Sequence, residues 1–220
     1  MYKNVSTSSD PKEIGVNNGI YQVELLEKKS FVSNDEKKYY KEYFNGNVKN
    51  FLLENFENIK KDKVSLLTYF PLKKAKETDF ISFSPDEMGL NFIVSQRIVD
   101  IFESFDVFEF VKIPTKIEGF KDDYYTVGFP MIEIQKIDFK KSIFIDWKNK
   151  GNILVHSYEE FMYQKFETRA LRTQKLFLTE KLKSEILYIQ TEGLFFSDKL
   201  IAKLEDENVT GFQVRNTELE

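Results

Sequence analysis

Phe92-Ile93-Val94-Ser95-Gln96-Arg97-Ile98-Val99-Asp100-Ile101-Phe102-Glu103 is followed, 102 residues later, by Leu194-Phe195-Phe196-Ser197-Asp198-Lys199-Leu200-Ile201-Ala202-Lys203-Leu204-Glu205. Each stretch opens on a short apolar run that stops at a serine. After Ser95, Ile98, Ile101, Phe102 and Phe105 recur at spacings of three and four, which marks one face of a helix; Leu200, Ile201 and Leu204 do the same after Ser197. Ser95 and Ser197 stand where an N-cap belongs, with a hydroxyl able to accept a free backbone N–H of the first turn. A second apolar stretch follows each helix, Val107 to Ile113 before Pro114 and Val209 to Val214. At the same offset Arg97 meets Lys199, Val107 meets Val209 and Phe110 meets Phe212. The unit is strand, serine-capped helix, strand, present at 91–113 and again at 193–214, and it predicts a duplicated supersecondary element. Phe102 and Leu204 are its expected core side chains. Gly211 supplies backbone freedom at positive φ, and Phe212 a further core side chain. The second copy has Lys203 and Glu207 where the first has Ile101 and Phe105, so its helix is expected to be the more exposed.

Outward from these units the pattern is thinner. Ile20 to Leu26 reads as a strand, and a helix capped by Asn34 or Asp35 should stop near Gly46. Phe51 to Phe56 suggests a second short helix ending around Lys60. Ser65 to Phe70, closed by Pro71, reads as a strand, as do Tyr124 to Gly128, Met131 to Ile137, Ser142 to Trp147 and Ile186 to Gln190. Tyr158 to Arg172 looks helical. Residues 1–19 are polar and read as a loose leader, and residues 20–78 carry weak signals. The expected architecture is α+β: one domain over 1–220, with mostly antiparallel sheet and short helices.

Composition removes several kinds of chemistry. The 220 residues contain no cysteine and one histidine, His156, which excludes disulfides, thiolate metal sites, cysteine nucleophiles and multi-histidine metal centres. Nine scattered glycines build neither a dinucleotide fingerprint nor a phosphate-binding loop, so no cofactor is expected. A net charge of −4 lacks the basic excess of a general nucleic-acid binder. The N-terminal residues lack the apolar core of a secretory signal and no run reaches the length of a membrane span, so the chain reads as cytoplasmic, without a membrane partner. The 22 Phe residues against 11 Tyr point to a core built from phenylalanine.

Four features invite a functional reading. His156 ends an apolar run and is expected to be structural. Asp122-Asp123 and Glu159-Glu160 are neighbours in sequence, so their carboxylates diverge along a strand or helix and read as solvated surface. Arg169, Arg172 and Lys175, three apart, would share one helix face. Trp147 is a candidate interface anchor, with burial in the sheet packing as its expected fate. No set of residues assembles into a catalytic constellation, so a binding protein fits best.

Gly193-Leu194-Phe195-Phe196-Ser197-Asp198-Lys199-Leu200, with Thr210-Gly211-Phe212, resembles the ending of a bacterial immunity-protein family from polymorphic toxin systems. Asp79-Phe80-Ile81, Phe92 to Ile98, Tyr124-Tyr125 and Ile137-Asp138 extend the resemblance over roughly residues 79–214. The first copy departs from the pattern, with Phe108-Glu109-Phe110 where a glycine would match Gly211. The resemblance implies a non-catalytic inhibitor that binds a cognate toxin, serves interbacterial competition and works as a monomer or weak homo-oligomer. The small acidic excess suggests a basic, nuclease-like toxin. The alternatives are a small carboxylate-based enzyme, or an adaptor or structural module of a secretion or phage system.

Overall fold

The computed structural model describes residues 1–17, 19–44, 48–59, 62–87 and 89–220. It is an α+β fold of two mostly antiparallel sheets with short helices. In chain order the first elements are β1 (Tyr2–Thr7), α1 (Pro11–Ile14), β2 (Val23–Leu25), α2 (Asn34–Tyr43), β3 (Leu67–Pro71), β4 (Phe80–Ile81), β5 (Phe83–Ser84) and β6 (Phe92–Ser95). They are followed by α3 (Gln96–Glu103), β7 (Val111–Ile117), β8 (Tyr124–Gly128), β9 (Met131–Ile132), β10 (Ile143–Asp146) and β11 (Gly151–Ile153). The last are α4 (Tyr158–Met162), β12 (Leu171–Leu176), β13 (Ile186–Ile189), β14 (Gly193–Ser197), α5 (Asp198–Asp206) and β15 (Phe212–Leu219). One sheet runs β11-β10-β12-β15-β1-β14-β13-β9 and the other β4-β6-β8-β7-β3-β2-β5. The edges of the second, β4 and β5, are separated in the chain by Ser82 alone, whose carbonyl accepts the N–H groups of Gln22 and Val23. That sheet therefore curls nearly onto itself. Among the described residues no helix is long and apolar enough to cross a membrane.

The duplication is larger than the strand–helix–strand unit. β4 pairs antiparallel with β6, β6 with β8 and β8 with β7. In the other sheet β13 pairs with β14, β14 with β1 and β1 with β15, again antiparallel. Side-chain contacts repeat with the strands. Ser95 faces Tyr124 across one pair and Ser197 faces Tyr2 across the other. The Tyr124 hydroxyl donates to the Thr78 carbonyl at 3.3 Å, and the Tyr2 hydroxyl to the Ser184 carbonyl at 2.9 Å. Thr78 and Ser184 each donate two residues ahead, to Phe80 and Ile186. Ser95 and Ser197 each send their N–H to the matching carbonyls of Asp79 and Glu185, both at 2.9 Å. The second copy takes its closing strand from the chain's N-terminal residues. Residues 1–19 are thus no loose leader: β1 lies inside the sheet with Val5 buried, and Asp10 caps α1, which buries Ile14.

The copies pack through their helices. α3 buries Ile98, Val99 and Phe102, and α5 buries Leu200, Ile201 and Leu204, the same three positions. The second helix is the more exposed of the two, as expected, but only at its margins: Asp198 and Glu207 are exposed where Gln96 and Phe105 are half-buried, while Lys203 is half-buried like Ile101. Phe80, Val94, Phe102 and Phe196 meet in one apolar cluster, with the Phe102 and Phe196 rings edge to face at 5.7 Å. The helix ends meet reciprocally. Arg97 of α3 donates to the Glu207 carbonyl after α5, while Lys199 of α5 lies over the Phe105 ring after α3. Position 97 matches 199 and 105 matches 207, so the contact is made twice about a pseudo-two-fold axis.

Several boundaries differ from the sequence reading. Val107 to Phe110 is irregular, and β7 begins at Val111 and passes through Pro114. Pairing with β3 begins only at Thr115, so the missing proline N–H costs no bond on that side. Tyr158 to Arg172 is not one helix: α4 passes into a π-helical turn at Tyr163–Glu167, Arg169 turns at φ +51°, and Arg172 lies in β12. The strand expected at Met131–Ile137 keeps two residues before a 3-10 turn at Ile134–Lys136, and Ile20–Leu26 shortens to β2. Ser33, not Asn34 or Asp35, caps α2, and Gly46 lies outside the described residues. Phe51–Phe56 resolves into 3-10 turns at Val48–Phe51 and Phe56–Asn58, and Lys60 lies outside the described residues.

Gly211 adopts φ +84°, and a Cβ there would approach the Phe80 carbonyl oxygen to 2.1 Å, so glycine is required on two grounds. Phe212 is half-buried against the inter-helix cluster. Phe102 and Leu204 are fully enclosed. Phe102→Ala and Leu204→Ala should each lower stability by about 2–5 kcal/mol through the cavities they leave, as read by urea unfolding at constant m-value.

Candidate functional site

Among the described residues the Asp79 carboxylate accepts the most side-chain-directed hydrogen bonds. Ser95 Oγ donates to Oδ1 at 2.9 Å, and Arg97 spans both oxygens through Nε at 2.6 Å and Nη2 at 2.5 Å. Thr210 adds its N–H at 2.9 Å and its hydroxyl at 2.8 Å to Oδ2. Ser95 and Arg97 belong to the first copy and Thr210 to the second, so one side chain ties the two together. Ser95 occupies the N-cap position of α3, but its hydroxyl serves Asp79 and makes no capping bond; Ser197, in the matching place, accepts the Leu200 N–H at 3.2 Å. Burial on its own raises the Asp79 carboxyl, but the bonds from Arg97, Thr210 and Ser95 outweigh it and hold the group at about 2. A carboxylate that acidic is a poor base for the neighbouring Ser95 hydroxyl. The Ser95–Asp79 pair is therefore a structural clasp. Asp122 and Asp123 line the shallow cleft outside it, with their side chains exposed.

A second group stands out by its environment. Glu87 lies buried on the wall of a cleft of about 390 Å³ that it shares with Asp86, Asn91 and Tyr188. Burial first, and the Asp86 charge second, push its carboxyl up to about 7. The buried hydroxyls of Tyr40 and Tyr69 lie in the same interior, and neither makes a hydrogen bond of ordinary geometry. Both phenols are pushed upward, chiefly by burial. No motif marked Glu87; its position depends on the chain around it packing against the N-terminal strand.

The third feature is a surface. Directly paired residues share a sheet face, so Phe196, Lys3, Glu218, Lys175 and Ile143 lie on one side of the eight-stranded sheet. At the Phe196 end that side is covered by α5 and α3. Past β15 the cover stops. Ile145 of β10 faces Arg172 of β12 and Asn152 of β11 on this open side, whereas Phe144 points the other way, where its ring meets Phe161 of α4 at 5.7 Å. Trp147 follows β10, with the Arg172 guanidinium 5.2 Å from its ring and its indole N–H bonded to the Arg169 carbonyl at 2.8 Å. Trp147 is 47% exposed, Ile143 40% and Leu154, just past β11, 77%. Trp147 is thus not buried in the sheet, because no element is left to pack over it.

The remaining sequence candidates separate. His156 is exposed, and its backbone N–H closes a cap with Glu160, whose own N–H goes to Ser157. Glu159 is exposed and diverges from Glu160. Arg169, Arg172 and Lys175 share no helix: Arg172 stacks on Trp147, while Lys175 pairs with Glu218 and Glu220. Among the described residues no group of three or more His, Cys, Asp or Glu is placed to hold a metal ion. No family model matches the chain, and no curated protein matches it either.

Two outcomes follow from these charges. Asp79→Ala should cost about 1.5–3 kcal/mol, and adding Ser95→Ala to it should cost almost nothing more, a non-additivity read by a double-mutant cycle. Glu87 has a folded value raised to about 7 from an ordinary 4.5, so the folded protein binds the extra proton between them. Stability should fall as pH rises from 4.5 to 7, and Glu87→Gln should flatten that slope in thermal melts.

Proposed function

We propose that this chain is an immunity protein that binds a cognate secreted bacterial toxin in the cytoplasm of the producing cell and neutralises it by contact. The observation that carries this reading is the uncovered end of the eight-stranded sheet, where Ile143 and Trp147 at the two ends of β10 and Leu154 past β11 are exposed, with Ile145 between the first two on the same side. Contiguous exposed apolar residues rimmed by polar ones mark interaction sites, and a tryptophan anchor concentrates binding energy. The fold supports the same use. The strands that carry the surface are packed from beneath by Phe144, Phe161, Leu171 and Leu176, and a preorganised surface loses less entropy on binding. The resemblance over residues 79–214 agrees with this reading and names its biological setting.

Glu87 favours a second reading, a carboxylate-based enzyme, since a carboxyl at about 7 beside Asp86 in a cleft is suited to proton transfer near neutrality. One experiment separates the two. The chain is co-expressed with the toxin domain encoded by a neighbouring gene, and growth and co-purification are measured. The immunity reading expects rescued growth and a stable complex, with Glu87→Gln protecting as well as the unaltered chain. Rescue without a complex, lost in Glu87→Gln, would replace it with the enzymatic reading.

A further inference from the structure

We propose that the open face of β10, β11 and β12 is the docking surface for the toxin, and that the toxin meets it with an acidic rim around an apolar centre. The identity of the partner rests on the immunity reading; the chemistry of the surface does not. The charge of this part of the chain opposes that of the whole. Residues 139–176 carry eight Lys and Arg against four Asp and Glu, in a chain with 32 against 36, although Lys141, Lys165 and Lys175 are paired with carboxylates outside that stretch. Among the described residues Arg172, Arg169 and Lys150 make no ion pair. Arg172 lies against Trp147, and Lys148 approaches the same ring at 6.0 Å. The result is an apolar centre of Ile143, Ile145, Trp147 and Leu154 beside cations with unused charge. A carboxylate rim would neutralise those cations while apolar side chains desolvate the centre.

Other occupants fit less well. A second copy brought face to face would set one basic face against another, and like charges at close range oppose that pairing. A single nucleic-acid strand stacks on successive aromatic rings, whereas among the described residues Ile143 to Leu154 expose one ring, Trp147, among aliphatic side chains. The local charge also reverses the expectation drawn from composition. The overall excess of acid suggested a basic toxin, but the surface best suited to contact is basic.

Two measurements test the surface, each on the full chain and on Trp147→Ala, Arg172→Glu and the distant control Lys38→Glu on α2, with melting temperatures compared first. The first titrates anilinonaphthalene sulfonate, a dye with apolar rings and one negative charge. Saturable fluorescence is expected, weakened at least tenfold in Trp147→Ala and Arg172→Glu and unchanged in Lys38→Glu. The second measures association with the neighbouring toxin domain. Affinity should drop at least tenfold in the same two variants, and the on-rate of the unaltered chain should fall with added salt, less steeply in Arg172→Glu. Equal toxin affinity in all four proteins overturns the surface and leaves the immunity reading intact. Failure of the unaltered chain to bind the toxin, with the expected dye pattern, overturns the immunity reading and supports the surface chemistry. A dye response indifferent to both substitutions overturns the surface chemistry itself.

Discussion

The contact between α3 and α5 is what the rest of the structure depends on. Each helix has a single apolar stripe and each stripe is short, so neither unit can bury its own face. Brought together about a pseudo-two-fold axis, Ile98, Val99 and Phe102 meet Leu200, Ile201 and Leu204 over the phenylalanines of the flanking strands. Two sheets that share few hydrogen bonds are thereby joined through a common core. The polar complement is Asp79, which takes Ser95 and Arg97 from one unit and Thr210 from the other. It fixes the angle at which the units meet, which apolar packing alone leaves loose. Glu185 and Lys199 stand at the matching places of the second copy, and Lys199 turns instead to Phe105. The clasp is made once, so the pair is asymmetric where a duplicated protein could have been symmetric.

The same arrangement sets where the molecule can make contacts. The helices cover one side of the eight-stranded sheet only as far as β15. The row Lys3, Glu218 and Lys175 forms the charged border of that cover, and beyond it the strands expose aliphatic side chains, a tryptophan and uncompensated cations. The opposite side of those strands is filled by Phe144, Phe161, Leu171 and Leu176. The open side is therefore well supported from beneath. A contact surface on a packed sheet holds its shape without a partner.

Glu87 is the other place where the fold keeps a group away from its ordinary state. Its burial opposes ionisation, and among the described residues no cation compensates it in the way Arg97 compensates Asp79. Two carboxyls in one molecule are thus driven in opposite directions: one by five donated hydrogen bonds, the other by enclosure beside Asp86.

The sequence by itself determined the parts governed by short-range spacing. The serine stops, the stripes of α3 and α5, the strands before them, and the need for glycine at 211 all lie within a few residues of their causes. What the tertiary structure alone decided depends on partners distant in the chain. β1 looks like polar leader because its order comes from neighbours nearly 200 residues away, β14 and β15. Ser95 has the position of a cap, but Asp79, 16 positions earlier, competes for its hydroxyl, and the stretch between them carries no pattern that announces the meeting. Trp147 was expected inside because tryptophan is mostly apolar surface, and whether it is covered depends on where the helices run out. Local chemistry wrote the duplicated unit; closing it with the N-terminal strand, and leaving one end of a sheet bare, was settled by packing.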